Sequence, residues 1–190
     1  MGQRIFFAMD IDEATRGRIV STAERLDSLP GRITWTKPQN LHVTMNFLGD
    51  VPDESIAELC DLARGAVDAW DLAPGEVTFT VGPLICFPPH KRARMIWAPV
   101  GEGNDVLASL HAEMNQALAA DGWRSESRPF KGHATVARIK SGDFEAAVGQ
   151  LPDAELGTVT TTEMTLYQSK LMPGGPIYTP LARIPLSGQR

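Results

Sequence analysis

The chain has 190 residues, of which 43% are hydrophobic and 22% charged, so it can bury one domain-sized core and is not disordered in composition. A formal net charge of −5 argues against a protein that coats duplex nucleic acid, because such binding needs many cations. One phosphate ester at a local site remains compatible with this charge.

The hydrophobic pattern predicts short strands that alternate with helices. In chain order we expect a strand at 5–9, a helix at 10–29, strands at 33–36 and 41–49, a helix at 53–70, strands at 77–81 and 95–100, a helix from 104 or 105 to 121, a strand from 130 to 141, a helix at 144–151, and strands at 158–168 and 177–186. Residues 82–94 are irregular. Ser55 and Glu58 fit a capping box for the second helix.

This order repeats with a period near half the chain. It predicts an α+β fold: a bilobal, pseudo-two-fold duplicated unit in which two mainly antiparallel sheets form a central cleft, with helices on the outer faces. Residues 1–190 would form a single domain of two intertwined lobes, because no low-complexity linker separates the halves.

Cys60 and Cys86 match neither a disulfide framework nor a metal-binding pair. The N-terminal apolar run is too short for a signal segment or a membrane span. We therefore expect a cytoplasmic protein with no membrane contact, no obligate protein partner and a monomeric state.

A short phrase occurs once in each half of the chain. It is a histidine, one residue, a threonine and an apolar residue, first at His42 and Thr44 and again at His133 and Thr135. Side chains alternate along a strand, so the histidine and threonine of each copy share one face. One such phrase carries little weight, but two in matching strand contexts predict a cleft with two imidazoles and two hydroxyls.

Two histidines of this kind can perform acid and base catalysis. The imidazole pKa is ordinarily about 6.5, so one histidine can be protonated while the other is neutral. One would take a proton from an attacking oxygen and the other would give one to the leaving oxygen at phosphorus. Threonine hydroxyls can stabilise charge on the phosphate oxygens. Neither a metal nor another cofactor is needed, and the spacing alone does not say which histidine is the acid.

The chain resembles the 2H phosphoesterase superfamily, and within it the RNA 2',3'-cyclic phosphodiesterases (the ThpR/LigT-like group, once called 2'-5' RNA ligases). Residues 35–50 resemble the family stretch W-x-x-P-x-N-L-H-x-T-x-x-F-L-G almost throughout. Further stretches that carry the resemblance are 4–10, 130–138, 167–171 and 175–178. Gly132 stands where the family often has proline, which predicts a less rigid turn.

The resemblance implies hydrolysis of an RNA terminal 2',3'-cyclic phosphate to a 2'-phosphomonoester, with possible weak 2'-5' ligation in reverse. It implies His42 as proton donor and His133 as proton acceptor, and RNA ends or nucleotides with a cyclic phosphate as partners. An alternative is a cyclic phosphodiesterase for a small nucleotide, such as ADP-ribose cyclic phosphate, a cyclic nucleotide or 2'-5' oligoadenylate. Another is a non-catalytic RNA-binding module. A metal-dependent hydrolase has the least support.

Four further residues are candidates for substrate binding. Regular alternation puts Arg138 on the face opposite His133, although a bulge or the strand end would bring it round. Lys131 could add positive field at the cleft mouth, or be a solvated loop charge. Arg92 could contact the RNA backbone. Phe47, like Trp35 and Phe87, could stack on a base or belong to the core.

Overall fold

The computed structural model of the chain describes residues 2–72, 75–89 and 93–187. Its strands are β1 (Gly2–Asp10), β2 (Arg32–Trp35), β3 (His42–Pro52), β4 (Val77–Val81), β5 (Ile85–Phe87), β6 (Met95–Pro99), β7 (His133–Ser141), β8 (Gly157–Thr161), β9 (Glu163–Lys170) and β10 (Ile177–Pro185). Its α-helices are α1 (Glu13–Glu24), α2 (Ile56–Ala69), α3 (Asn104–Ala120) and α4 (Glu145–Val148).

The helices follow the predicted pattern with different ends. The Asp12 side chain caps α1 by accepting a hydrogen bond from the Thr15 amide at 2.9 Å. That helix stops at Glu24, five residues before the predicted end. The capping box predicted at Ser55 is wrong, because its side chain makes no capping hydrogen bond and a 3-10 turn precedes α2.

The strand predicted at 158–168 is also divided in the structure. β8 pairs with β4, whereas β9 pairs with β1 and β10. The break lies where the Thr161 hydroxyl exchanges hydrogen bonds with the backbone of Glu163, a local alternative to ladder pairing. One segment therefore serves two sheets.

Two antiparallel sheets form, as predicted for this α+β chain. The larger has eight strands in the order β10-β9-β1-β3-β7-β6-β5, with β2 also paired to β7, and the smaller is β4-β8. The halves of the larger sheet meet between β3 and β7 through one residue pair, Val43 opposite Ala134. Each of these residues directly follows a motif histidine, so the junction brings the two motifs together.

Strands from the early and late parts of the sequence are exchanged between the two halves of the larger sheet. β2 lies early in the sequence yet pairs with β7, placing Trp35 opposite Ala137. The late strands β9 and β10 extend the half that contains β1 and β3. On β1, Ile5, Phe7 and Met9 point into the core, so the alternate residues face the other side of the sheet.

Each motif strand contains a β-bulge at the same position. Ala8 and Phe7 are adjacent on β1, but they pair with Thr44 and Asn46, which leaves Met45 as the extra residue. In the second copy the extra residue is Val136. Both are the third residue after the histidine. Because the extra residue shifts the alternation by one, the fifth residue after each histidine lies on the same face as the histidine and threonine.

The turn into β7 is held at both backbone polar groups of Gly132. Its amide donates to Asn104 Oδ1 at 2.9 Å, and its carbonyl accepts from the Val100 amide at 2.8 Å. A Cβ on Gly132 would lie 2.7 Å from Asn104 Oδ1 and 3.0 Å from Val100 Cβ. Only glycine fits the space at this position. A proline here would also lack the backbone N–H that donates the hydrogen bond to Asn104.

We expect Gly132→Ala to lower the free energy of unfolding by about 1 to 3 kcal/mol, because the new methyl group overpacks a closed site. Gly65→Ala is the matched control, since Gly65 lies in α2 with open space around it, and it should stabilise by about 1 kcal/mol. Chemical denaturation measures both, and equal stabilities for the two variants would contradict the packing at Gly132.

Within the residues that the structure describes, no helix is both long and apolar enough to span a membrane. Cys60 and Cys86 are both free and buried.

Candidate active site

A cleft of about 390 Å³ lies on the side of the large sheet opposite Ile5, Phe7 and Met9. It is lined by Arg4, Phe6, Thr34, Trp35, Thr36, Lys37, Asn40, His42, Thr44, Phe47, Thr135, Arg138, Ser169, Leu171, Gly174, Gly175, Pro176 and Tyr178. His133 is not itself a lining residue, but it precedes Thr135 by two residues and so shares its face of β7. The structure thus brings the two predicted motifs to one cleft.

The two imidazoles are held in the same way. His42 Nδ1 lies 2.7 Å from the Asn40 carbonyl, and His133 Nδ1 lies 2.7 Å from the Lys131 carbonyl. A carbonyl only accepts hydrogen bonds, so Nδ1 carries the proton in both rings. In the neutral state Nε2 is then the free base, and His42 Nε2 lies 3.0 Å from Thr44 Oγ1.

The loop between β9 and β10 helps to hold the first histidine. Asn40 is buried, and its Nδ2 donates to the Pro176 carbonyl at 2.8 Å while its own carbonyl holds His42. Tyr178, just after this loop, meets the His42 ring edge-on with centroids 5.3 Å apart. Phe6 packs on the same imidazole at 4.9 Å.

The second histidine has a different ring environment. Trp97 stacks on His133 with centroids 3.7 Å apart and an interplanar angle of 20°. Phe87 stacks on the other side of that indole at 3.6 Å. Phe87 therefore supports His133 through Trp97, whereas Trp35 and Phe47 line the cleft.

Burial lowers the pKa of both motif histidines below the usual imidazole value. For His42, the hydrogen bond to Asn40 and the negative charge of Asp10 oppose this effect, while the charge of His133 adds to it. For His133, the hydrogen bond to Lys131 opposes it. Both rings thus favour the neutral form before an anion binds, and their charges interact.

The cleft is basic although the whole chain is acidic. Arg4, Lys37 and Arg138 line it, and no described lining residue is aspartate or glutamate. Arg138 reaches the cleft because of the bulge at Val136, which reverses the alternation that would place it on the far face. The cleft can therefore attract an anionic group without a basic net charge.

The other predicted binding residues have different positions. Phe47 is 40% exposed at the cleft, with the Arg4 guanidinium carbon 5.3 Å from its ring centroid. Lys131 is exposed and is not a lining residue, although its carbonyl orients His133. Arg92 lies outside the described residues. No three His, Cys, Asp or Glu side chains within the described ranges are grouped to hold a metal ion.

Sequence reasoning did not identify several residues at this site. Arg4, Lys37 and Tyr178 line the cleft, and Asp10 lies opposite His42 in the β1–β3 ladder. Arg4 and Asp10 flank the continuous apolar run of β1, so no alternation of polar and apolar residues marks them; their even spacing from Phe6 places them on its face of the strand. Tyr178 had no local signal, because its position depends on which strands pair with β9 and β10.

Known proteins are similar to this chain in sequence and in fold over nearly its whole length. The RNA 2',3'-cyclic phosphodiesterase of Methanothermobacter thermautotrophicus is 28% identical, covering 94% of this chain and 96% of the relative. That of Archaeoglobus fulgidus is 30% identical, covering 94% and 97%. The crystal structure of E. coli LigT complexed with 3'-AMP is 28% identical with a TM-score of 0.74, covering 97% of this chain and 98% of LigT.

A family model described as the 2'-5' RNA ligase superfamily matches residues 23–171. The match includes both histidine motifs and confirms the resemblance seen in the sequence, so the chain belongs to the 2'-5' RNA ligase superfamily.

Proposed function

We propose that this chain hydrolyses the 2',3'-cyclic phosphate at an RNA end to a 2'-phosphomonoester, with His42 as proton donor and His133 as proton acceptor. The observation that carries the proposal is the pair of motif histidines, both with Nδ1 bound to a backbone carbonyl. His42 lines a basic cleft, and His133 lies on the same face of β7 as Thr135, which also lines it. The activity follows the names of the curated relatives.

The reaction needs one neutral and one protonated imidazole. His133 Nε2 takes a proton from water, whose oxygen forms a bond to phosphorus. The P–O3' bond breaks on the opposite side, and His42 Nε2–H gives its proton to O3'. The products are a 2'-phosphomonoester and a free 3'-hydroxyl, and proton exchange with solvent restores the two rings.

The motif threonines stabilise the charge that builds on the phosphate. When His42 is neutral, its Nε2 can accept a hydrogen bond from the Thr44 hydroxyl, 3.0 Å away; when Nε2 carries the proton for O3', it no longer accepts that bond. The Thr44 hydroxyl proton is then free to point at a non-bridging phosphate oxygen. Thr135 offers a second hydroxyl, since its side chain also lines the cleft.

The remaining binding residues act on the phosphate and the base. Arg138 pairs with the phosphate, because its guanidinium is a charged donor on the motif face of β7. Phe47 stacks on the terminal base, since it is an exposed ring in the cleft. Lys131 adds positive field outside the lining. The RNA contact of Arg92 stays a prediction.

The proposal includes the predicted organisation of the molecule. The chain would act as a monomer and as one domain of two intertwined lobes, without a metal or another cofactor, in the cytoplasm. In the same step a 5'-hydroxyl could replace water and give a weak 2'-5' ligation.

A small cyclic nucleotide is the second candidate substrate. A cleft of about 390 Å³ suits one nucleotide, which does not by itself require a longer strand. The LigT complex with 3'-AMP shows a mononucleotide bound to a relative. Comparing a cyclic-phosphate-ended oligonucleotide with ADP-ribose cyclic phosphate, a cyclic nucleotide and 2'-5' oligoadenylate, by kcat/KM, separates the two candidates.

We expect His42→Ala and His133→Ala each to lower kcat/KM by about 10² to 10⁴, because each removes one proton transfer. Turnover of a cyclic-phosphate-ended oligonucleotide is measured in EDTA, and the product is identified as a 2'- or 3'-phosphate. His111→Gln is the control, since His111 is buried on α3 and is not a lining residue.

Full activity in either alanine variant would contradict the two-histidine mechanism. Activity that disappears in EDTA would contradict hydrolysis without a metal. Tight binding of the oligonucleotide with no product would favour the non-catalytic RNA-binding module.

We expect Arg138→Met to lower kcat/KM by about 10- to 100-fold, because hydrogen bonds to charged groups contribute about 1.5 to 3 kcal/mol. Arg138→Lys should recover part of the loss, since it keeps the charge without the planar guanidinium. Lys140→Met is the matched control: Lys140 lies on β7 and is exposed, but does not line the cleft. Equal losses in Arg138→Met and Lys140→Met would mean that overall charge, not this site, sets the rate.

A further inference from the structure

The two halves of the site share one pairing register, but the residues that their neighbouring strands place opposite the motifs differ. In the β1–β3 ladder Asp10 lies opposite His42, and in the β6–β7 ladder Pro99 lies opposite His133. In each ladder a further pair lies two residues along from the histidine. In the β1–β3 ladder this pair is Ala8 with Thr44. Since both bulges follow at the same place, Asp10 and Pro99 are equivalent positions with different chemistry.

Asp10 lies opposite the first histidine in the ladder, and its carboxylate is held from the other side by β9. Directly opposed residues of an antiparallel pair share a face, with Cβ atoms about 4.5 to 5.5 Å apart. Thr165 Oγ1 donates to Asp10 Oδ2 at 2.9 Å, and Tyr167 OH donates to Asp10 Oδ1 at 2.7 Å. These two hydroxyls hold the carboxylate in place.

The carboxylate acts on His42 through space. Both ring nitrogens have other partners, Nδ1 with the Asn40 carbonyl and Nε2 with Thr44 Oγ1. A nearby negative charge still favours the imidazolium, since the surroundings are partly buried and poorly screened. His133 has an uncharged proline at the matching position and an indole stacked on its ring.

We propose that Asp10 is a positioning residue whose fixed carboxylate assigns the catalytic proton to His42 and leaves His133 as the neutral base. This inference rests on the proposed function, because it concerns the acid and base roles of that site. It supplies a physical reason why His42 is the acid and His133 is the base.

Other ionisable groups also act on this pair and set the size of the effect. Those around His42 and its cleft are His133 on β7, Tyr167 on β9, Tyr178 on β10, and the cations Arg4, Lys37 and Arg138. Arg183 on β10 lies near Asp10 and pairs with Glu163. Arg183 therefore screens part of the Asp10 charge.

The test is Asp10→Asn in the full chain, with kcat/KM measured against pH on a cyclic-phosphate-ended oligonucleotide. Removing the charge should lower the pKa of the acid by about one pH unit. At pH values above both inflections of the kcat/KM profile, kcat/KM is proportional to the protonated fraction of His42. It should therefore be about tenfold lower in Asp10→Asn than in the unchanged chain. Below both inflections it follows the neutral fraction of His133 and should be unchanged.

Histidine NMR gives a second readout that needs no turnover. In Asp10→Asn the titration of His42 should move to lower pH, whereas that of His133 should not, since loss of the His42 charge can only raise the pKa of His133. Because this measurement does not use a substrate, it distinguishes failure of the inference from failure of the proposed function. An equal loss of rate at every pH, or an unmoved His42 titration, would overturn the inference.

Two further variants separate charge from structure. Tyr167→Phe removes one hydrogen bond to Asp10 but keeps the carboxylate, so the alkaline loss should be absent. If Tyr167→Phe reproduces that loss, Asp10 acts by holding the fold, and the inference fails. Arg183→Gln removes an exposed cation next to Asp10 and should move the His42 titration upward. It probes the field around Asp10 even if Asp10→Asn does not fold, and an unmoved or downward-shifted His42 titration would overturn the inference.

Discussion

The site depends on one hydrogen bond that is made twice: each motif histidine donates Nδ1–H to the carbonyl two residues before it. This bond fixes the tautomer of a ring that burial keeps largely neutral, and it leaves Nε2 for the reaction. It also explains why the preceding residues are held so firmly. Asn40 is bonded to Pro176, and Gly132 is bonded to Asn104 and Val100, so neither carbonyl can turn away from its histidine without breaking other contacts.

The motif spacing predicted which strands and which four side chains meet, because period two is a rigid property of a strand. It did not predict where the fifth residue of each copy points. Arg138 reaches the cleft only because Val136 is an extra residue in β7, and Phe47 follows the corresponding bulge at Met45 in β3. A valine or methionine within a strand carries no local bulge signal, so this part of the site required the pairing register itself.

Pairing between distant parts of the chain also explains the charge of the cleft. Arg4 comes from the first strand, Lys37 from the turn after β2, and Arg138 from β7, while β9 and β10 bring Tyr178. The composition is acidic and argues against a duplex-coating surface, but it could not show that carboxylates are missing from the described lining. Local field, and not net charge, decides whether a single phosphate ester is attracted.

In the duplicated fold each histidine has an equivalent backbone carbonyl, an equivalent bulge and an equivalent threonine. Such symmetry alone would give the two imidazoles the same proton affinity. Acid and base catalysis needs them to differ. The difference cannot lie within the motifs, whose His and Thr positions are the same in both copies. It lies on the neighbouring strands, where Asp10 and Pro99 occupy equivalent positions. Placing the charge one strand away leaves both rings free to bind substrate, while a fixed carboxylate still separates their proton affinities through space.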